Sequence, residues 1–479
     1  MPLISLDSHD SVPLVGQIIA AVKTQIDDRA LRPGARMPSI RKFAQAHRVS
    51  RFTVVTAYDR LVAMGYLSSR QGSGFYVTPR AKAPVARVAP YKLDRAMDVL
   101  WLLRNALQQP ASRPMSGAGW LPSAWMDEAG IQRSLRALSR QGGDFLTGYG
   151  TPCGYLPLRE ILQHRLADIG IGAEPSQIVL TKGATHALDL IARYFIRPGD
   201  TVLVDDPGYF ILFGALKSLG AKIVGVPWNV DGPDTRAMET LLETHRPKIF
   251  FTNTVLHNPT GTSISQAVAH RVLQLAEKYQ LLIVEDDIYG DFHPAPVTRL
   301  ASLDQLNRVI YISSFSKTIS ASLRVGFLVC KREIAEHLTD LKLLTGLTTS
   351  EIGERLIYQL LTDGYYRKHM EKLRSRLHAA RQRVMHKLEN IGFHLYHEPE
   401  GGMFLWAKVT DATNVLEIAS LAAGKGIMLA PGNLFRPHQE PTPWLRFNVA
   451  SSEDTQTLRF LEAVVKSSRS RGLSRLDAG

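Results

Sequence analysis

The 479 residues carry 57 Lys and Arg against 44 Asp and Glu, a net charge of +13, with 45% hydrophobic and 21% charged residues. That balance is typical of a globular chain of two or three domains and argues against a disordered or fibrous one. Two cysteines, Cys153 and Cys330, exclude a disulfide framework, no apolar run reaches membrane-spanning length, and the first ten residues lack a signal-peptide core, so a cytoplasmic protein with reduced thiols is expected.

The charge is uneven: residues 1–97 hold 15 Lys/Arg against 6 Asp and no Glu, whereas residues 98–479 hold 42 against 38. A basic head on a near-neutral body points to nucleic acid at the head, although a basic solvated surface would give the same count. From Pro13, favoured at a helix start, Leu14, Ile18, Ile19, Val22 and Ile26 fall at helical spacing until Arg32-Pro33-Gly34. Ser39 caps a short helix, Ile40 to Ala46, and His47-Arg48-Val49 turns the chain. Ser50 then caps a longer helix to Met64, stopped by Gly65. Tyr66–Arg70 and Phe75–Thr78 alternate around Gln71-Gly72-Ser73-Gly74, a hairpin with a glycine turn. Three helices and a hairpin make a winged helix-turn-helix, an α+β domain over residues 1–78.

Residues 79–97 are rich in Pro, Ala and basic residues and read as a linker. From residue 98 to 465 helical stretches alternate with buried apolar runs at Ile178–Thr181, Thr201–Asp205, Lys222–Val226, Ile249–Thr252, Leu281–Glu285, Val309–Ser313 and Val325–Val329. The pattern predicts an α/β body with a largely parallel sheet. A long helical run from Lys331 to about Asn390 then leads to Phe393–Tyr396, Phe404–Lys408 and Leu445–Val449, strands of a small α+β domain over about 331–465. The Ser/Arg-rich end, 466–479, is expected to be disordered.

Pro38-Ser39-Ile40-Arg41, Val49-Ser50-Arg51-Phe52-Thr53-Val54, Ala57-Tyr58, Leu61, Gly65-Tyr66-Leu67 and Arg70-Gln71-Gly72-Ser73-Gly74 closely resemble the GntR family of bacterial regulators over roughly residues 12–78. Ser50 and the amides at its helix start suit a DNA phosphate. Arg51 and Thr53 would face base edges of the major groove, where arginine can hold guanine with two hydrogen bonds. Arg41 and Arg48 would hold the flanking backbone, and Arg70 at the wing tip would enter the minor groove. Tyr58 and Leu61 read as core.

In the body, Ser314-Phe315-Ser316-Lys317 with Arg324 seven residues on suits pyridoxal phosphate: the lysine forms a Schiff base, and the hydroxyls and guanidinium hold phosphate. Asn258-Pro259-Thr260-Gly261 offers a donor to the phenolic oxygen, and Tyr289 can add a second. Glu285-Asp286-Asp287 ends a buried strand and offers a carboxylate to the pyridinium nitrogen. Asp286 and Asp287 compete for that role, with Asp286 favoured by its offset to Tyr289. Gly183, Ala184 and Thr185, between strand and helix, form a phosphate cup, and Tyr209 in Asp206-Pro207-Gly208-Tyr209 offers a face to stack on the ring.

These segments look like fold-type I aminotransferases over roughly residues 110–465. By that resemblance Lys317 is the Schiff-base lysine, Asp286 pairs with the pyridine nitrogen, and Tyr289 and Asn258 bind the phenolic oxygen. Ser314, Ser316 and Arg324 hold phosphate, and Tyr149 in Gly148-Tyr149-Gly150 reaches a neighbouring subunit's phosphate. Arg446 falls where the family binds a substrate's α-carboxylate, although a strand arginine in an ion pair would read the same. His257 reads as a packing residue, and no metal ligands are expected.

Head, linker and body together resemble the MocR subfamily of GntR transcription regulators. The resemblance implies a homodimer that binds double-stranded operator DNA and senses an amino compound, or pyridoxal phosphate itself, at Lys317. A working aminotransferase with a DNA-binding head, and a regulator using the fold only as a dimerisation scaffold, remain as alternatives.

Overall fold

The computed structural model describes residues 6–7, 10, 12–28, 30–79, 107, 114–410 and 413–476, with side chains to residue 466. It divides into two units, Met1–Lys92 and Leu93–Gly479. The linker expected at 79–97 lies, from residue 80, outside the described residues.

In the first unit α1 (Leu14–Asp27) buries Ile18, Ile19 and Val22. α2 (Ile40–His47) begins where the Ser39 hydroxyl accepts from the Lys42 amide, and it ends at Arg48 in the left-handed region, φ 53°. α3 (Arg51–Ala63) begins at Ser50, whose hydroxyl accepts from the Thr53 amide at 3.0 Å. Both caps satisfy amides that a helix start leaves without partners. β1 (Leu67–Arg70) and β2 (Gly74–Val77) form an antiparallel hairpin, and Gly72 at its tip adopts φ 71°. Tyr58 lies in the core, with its ring edge-on to Phe43 and Phe75 at 5.6 and 5.0 Å.

The second unit is built on an eight-stranded sheet: β3 (Ile178–Thr181), β4 (Thr201–Asp206), β5 (Lys222–Asn229), β6 (Gly232–Pro233), β7 (Ile249–Thr252), β8 (Leu282–Asp286), β9 (Val309–Ser314) and β10 (Gly326–Val329). The order is β3-β10-β9-β8-β7-β4-β5-β6. The run β9-β8-β7-β4-β5 is parallel, whereas β10 is antiparallel to both β9 and β3. The sheet is therefore mixed. Segment 315–325, which joins β9 to β10, holds no helix and is too short for the crossover a parallel neighbour requires. Its Ser, Lys and Arg side chains stay beside the C-terminal edge of β9, where open α/β sheets bind ligands.

The helical run after Lys331 is three helices, Arg332–Gly346, Glu351–Thr362 and Tyr365–Ile391. The breaks fall at Leu347 and Gly364, both at positive φ. β11 (His394–Leu395), β12 (Phe404–Lys408), β13 (Ala430–Pro431) and β14 (Trp444–Asn448) form a second, antiparallel sheet in the order β11-β12-β14-β13. The last helix runs Thr455–Leu476, so the tail expected at 466–479 starts within it, and residues 477–479 lie outside the described residues. Ser and Arg are tolerated in a helix already started, and no proline interrupts this one. Among the described residues no helix is long and apolar enough to cross a membrane.

Candidate functional site

The ends of β8 and β9, segment 315–325, the start of the helix Ala184–Phe195, and β14 meet around a cavity of about 500 Å³. It is lined by Lys317, Asp286, Tyr289, Asn258, Tyr209, Ala184, Thr185, Ser314, Ser316, Arg324 and Arg446. Residues 262 positions apart in the chain, Ala184 and Arg446, thus face one space.

The Lys317 amine donates to the Gly119 carbonyl at 2.6 Å. Burial, with Arg446 nearby, lowers its pKa from 10.5 to about 8, so a useful fraction is uncharged near neutral pH. Beside it Asp286 is buried, and its Oδ1 has no hydrogen-bond partner. Burial first, and Asp287 second, push the Asp286 carboxyl up to about 7. Asp287 is occupied elsewhere, accepting from Arg299 Nε at 2.6 Å and Tyr311 at 2.7 Å. Of the two aspartates, Asp286 alone lines the cavity.

At the other end of the cavity the Ser314 hydroxyl donates to Ser316 at 2.9 Å. Arg324, at φ 52°, donates from Nη1 to Ser316 at 3.2 Å and from Nη2 to the Lys182 carbonyl at 3.0 Å. Gly183 stands at the N-cap of Ala184–Phe195 with no side-chain cap. Its φ of +79° favours glycine, and a Cβ there would lie 2.7 Å from the Arg324 guanidinium and push it from its place. Two hydroxyls, a guanidinium and a helix N-terminus make an anion site.

Arg446, on β14, is buried between the rings of Phe404 and Phe435, at 4.4 and 4.8 Å. It donates to Asn258 Oδ1 and to the Gly117 carbonyl, each at 2.7 Å, while its Nε has no partner. Burial lowers its pKa to about 10. No carboxylate pairs with it among the described residues, so the strand ion pair is not found. Tyr209 lines the wall with its hydroxyl pushed up to about 12 by burial, and burial also raises Tyr289. Tyr149 is not in this cavity: it is 83% exposed and borders a surface hollow of about 460 Å³ with Phe145, Glu351 and Arg355. His257 stacks on Trp228 at 4.0 Å and contacts Asp205 and Thr260, which makes it a packing residue.

Sequence reasoning missed three supports. Asn253 donates to the Asp286 carbonyl at 2.7 Å and accepts the Asn258 amide at 2.8 Å, fixing both neighbours. Asn448 donates to the carbonyls of Ala118 and Trp120 and clamps segment 116–120 over the cavity. Gly117 allows the close approach, since a Cβ there would lie 2.5 Å from the backbone at Leu429 and Ala430. Over a sequence gap of 328 residues, no local pattern signals the Asn448 contacts.

In the head, Ser39, Arg41, Arg48, Ser50, Arg51, Arg70 and Gly72 are exposed. Thr53 is partly buried, and its hydroxyl meets that of Ser50 at 2.7 Å within the helix cap. Arg70 lies over the Tyr76 ring at 4.6 Å. Phe52, which sequence reasoning left without a role, is 79% exposed between Arg51 and Thr53.

Residues 125–464 match the family of class I and II aminotransferases, and residues 14–77 match the gntR family of bacterial regulatory proteins. The "Probable rhizopine catabolism regulatory protein MocR" of Rhizobium meliloti is 30% identical over 90% of this chain and 88% of its own length. The "Uncharacterized HTH-type transcriptional regulator YdfD" of Bacillus subtilis is 29% identical over 93% and 94%. Among solved structures, Pyrococcus horikoshii kynurenine aminotransferase in complex with PMP aligns with a TM-score of 0.72 at 27% identity, covering 78% of this chain and 94% of that one.

Proposed function

We propose, for a chain that belongs to the aminotransferase class I and II family and carries a gntR-family head as the MocR-type transcription regulators do, that it is a DNA-binding regulator whose body binds pyridoxal phosphate and senses an amino compound. The observation that carries this is the pairing of a half-buried, partly neutral Lys317 with a buried Asp286 whose Oδ1 is unpartnered in one cavity. The residues fit the cofactor. Asp286 Oδ1 lacks the partner that a protonated ring nitrogen supplies, and Ser314, Ser316, Arg324 and the Ala184 and Thr185 amides form a cup for phosphate.

Pyridoxal phosphate, when bound, supplies an aldehyde that exchanges amines and a ring that draws electrons. Lys317 provides the resident amine. Asn258, whose Oδ1 accepts from Arg446, has its amide NH₂ left to donate to the phenolic oxygen together with the Tyr289 hydroxyl. Tyr209, which lines the cavity wall, would offer its face to the ring. Arg446 holds the effector's carboxylate, its buried guanidinium exchanging the Gly117 carbonyl for a charged partner. Exposed Tyr149 reaches a second copy's phosphate in a homodimer.

Head (1–78) and body (98–465) are joined by 79–97, and the protein acts in the cytoplasm on double-stranded operator DNA. Arg51 and Thr53 face base edges with exposed Phe52 between them, Ser50, Arg41 and Arg48 hold phosphates, and Arg70 at the wing tip enters the minor groove. An effector that binds the two DNA states with a difference of about 1.4 kcal/mol shifts occupancy tenfold. The test is purified full-length protein and its Lys317→Ala variant, with cofactor absorbance and binding to the DNA upstream of the gene both measured with and without amino compounds. Cofactor absorbance and effector-dependent DNA binding that both vanish in Lys317→Ala support sensing. DNA binding identical in both proteins, with no cofactor absorbance on either, refutes it. Multiple turnovers with an amino donor and a keto acid would make it an aminotransferase with a DNA-binding head.

A further inference from the structure

Three cations and one carboxylate line the body cavity, and each already has a task in the reading above: Lys317 for the amine, Arg324 for phosphate, Arg446 for the carboxylate and Asp286 for the ring nitrogen. The rest of the lining carries no charge and includes Trp120, Phe210, Ile211, Met428 and Ala430, together with Leu107, Ile288 and Ala321. The wall they make is continuous with the site of Arg446. Phe210 lies 5.9 Å from Tyr209 and meets Phe435 edge-on at 5.5 Å, and Phe435 covers one face of the Arg446 guanidinium.

The next cation along the chain, Arg436, does not line the cavity and is held by Asp206 at 2.5 Å. The nearby carboxylates are likewise occupied. Asp205 Oδ2 accepts the Asn253 amide at 2.8 Å, and Asp287 is paired with Arg299. Among the described residues of one protomer, a charged effector side chain would therefore enter an apolar space with no counter-charge, where burial of an unpaired charge is strongly disfavoured. An apolar side chain gains contact with aromatic and aliphatic surface in the same place.

We propose that the effector is an α-amino acid with an uncharged, apolar side chain, selected by Trp120, Phe210, Ile211 and Met428. This rests on the sensing role of Lys317 and Arg446 given above. Discrimination here comes from desolvation as much as from attraction: the wall disfavours aspartate, glutamate and lysine because, among the described residues, none of its side chains replaces their water.

The experiment uses the full-length protein loaded with pyridoxal phosphate. It is titrated with leucine, methionine, phenylalanine, aspartate, glutamate, lysine and 4-aminobutyrate, with heat of binding and cofactor absorbance both recorded. Leucine, methionine or phenylalanine should bind at least tenfold more tightly than the charged amino acids. Ile211→Arg, or Met428→Lys if the first variant does not fold, should reverse the order of leucine and glutamate by placing a cation in the wall. A parent protein that prefers aspartate, glutamate, lysine or 4-aminobutyrate overturns the proposal and leaves sensing at Lys317 intact. No response to any of the seven overturns the proposal, and the Lys317→Ala comparison above then decides whether sensing at Lys317 stands.

Discussion

Replacing Asp286 by asparagine separates stability from function, because the cofactor-free protein holds this carboxylate in the worst available surroundings. The side chain is buried, Oδ1 is unpartnered, and its neighbours include Asp287. Its pKa stands at about 7 against an ordinary 3.8. A raised carboxyl pKa means that stability is intact below pH 3.8, falls as pH climbs toward 7, and stays low above that. The penalty above pH 7 is about 4 kcal/mol, at roughly 1.4 kcal/mol per pKa unit. Asp286→Asn removes it, less about 1–2 kcal/mol for an amide whose own hydrogen bonds are incomplete. The cofactor-free variant should therefore be more stable than the parent by about 2–3 kcal/mol at pH 8 and less stable by about 0.5–1.5 kcal/mol at pH 4. The same change should weaken pyridoxal phosphate binding by roughly 10- to 100-fold, since a charge-assisted bond to the ring nitrogen is worth about 1.5–3 kcal/mol. Urea denaturation at fixed protein concentration, at the two pH values, measures the first effect, and cofactor titration measures the second. An asparagine variant no more stable than the parent at pH 8, or one whose advantage is unchanged at pH 4, would show that Asp286 is not an unpaired buried charge.

Cofactor uptake by the cofactor-free protein should speed up as pH rises through about 8, because burial lowers the Lys317 pKa and only its neutral amine attacks an aldehyde; stopped-flow absorbance with a flat profile from pH 6.5 to 9 would argue against that. Arg446→Lys keeps the charge but not the planar fork that spans Asn258 and Gly117, so carboxylate-bearing effectors should bind roughly 10- to 100-fold more weakly while cofactor absorbance persists. In the head, Arg51→Ala should weaken operator binding by about 1–3 kcal/mol and flatten base preference at one position, whereas Arg41→Ala should weaken all sequences alike and reduce the salt slope by about one. Phe52→Ala should abolish the difference between thymine- and uracil-substituted operators in a gel-shift assay, if the exposed ring contacts a thymine methyl.

Local pattern was enough wherever the determinant lay within a few residues. The Ser39 and Ser50 caps, the Gly72 turn and the apolar runs of the sheet are all short-range, and each element lies within a few residues of its expected place. At the end of the chain, where Ser and Arg read as a frayed tail, the last helix continues to Leu476. The mixed sheet was legible in principle, because the short join from β9 to β10 leaves no room for a crossover.

Which aspartate faces the cavity was a different kind of question. Asp286 and Asp287 are chemically identical neighbours, and strand alternation sends one toward the cavity and the other toward Arg299 and Tyr311. The offset to Tyr289 favoured Asp286, and packing decides it. The sequence alone determined the residue types, their order and the family they belong to, since caps, turns and motif spacing are written along the chain. The tertiary structure decided what the amine and guanidinium actually touch. Gly117 and Gly119 bring their carbonyls to Arg446 and Lys317 across 329 and 198 positions, and burial around those contacts lowers both pKa values. Desolvation depends on everything packed around a group, and that is a property of the folded chain.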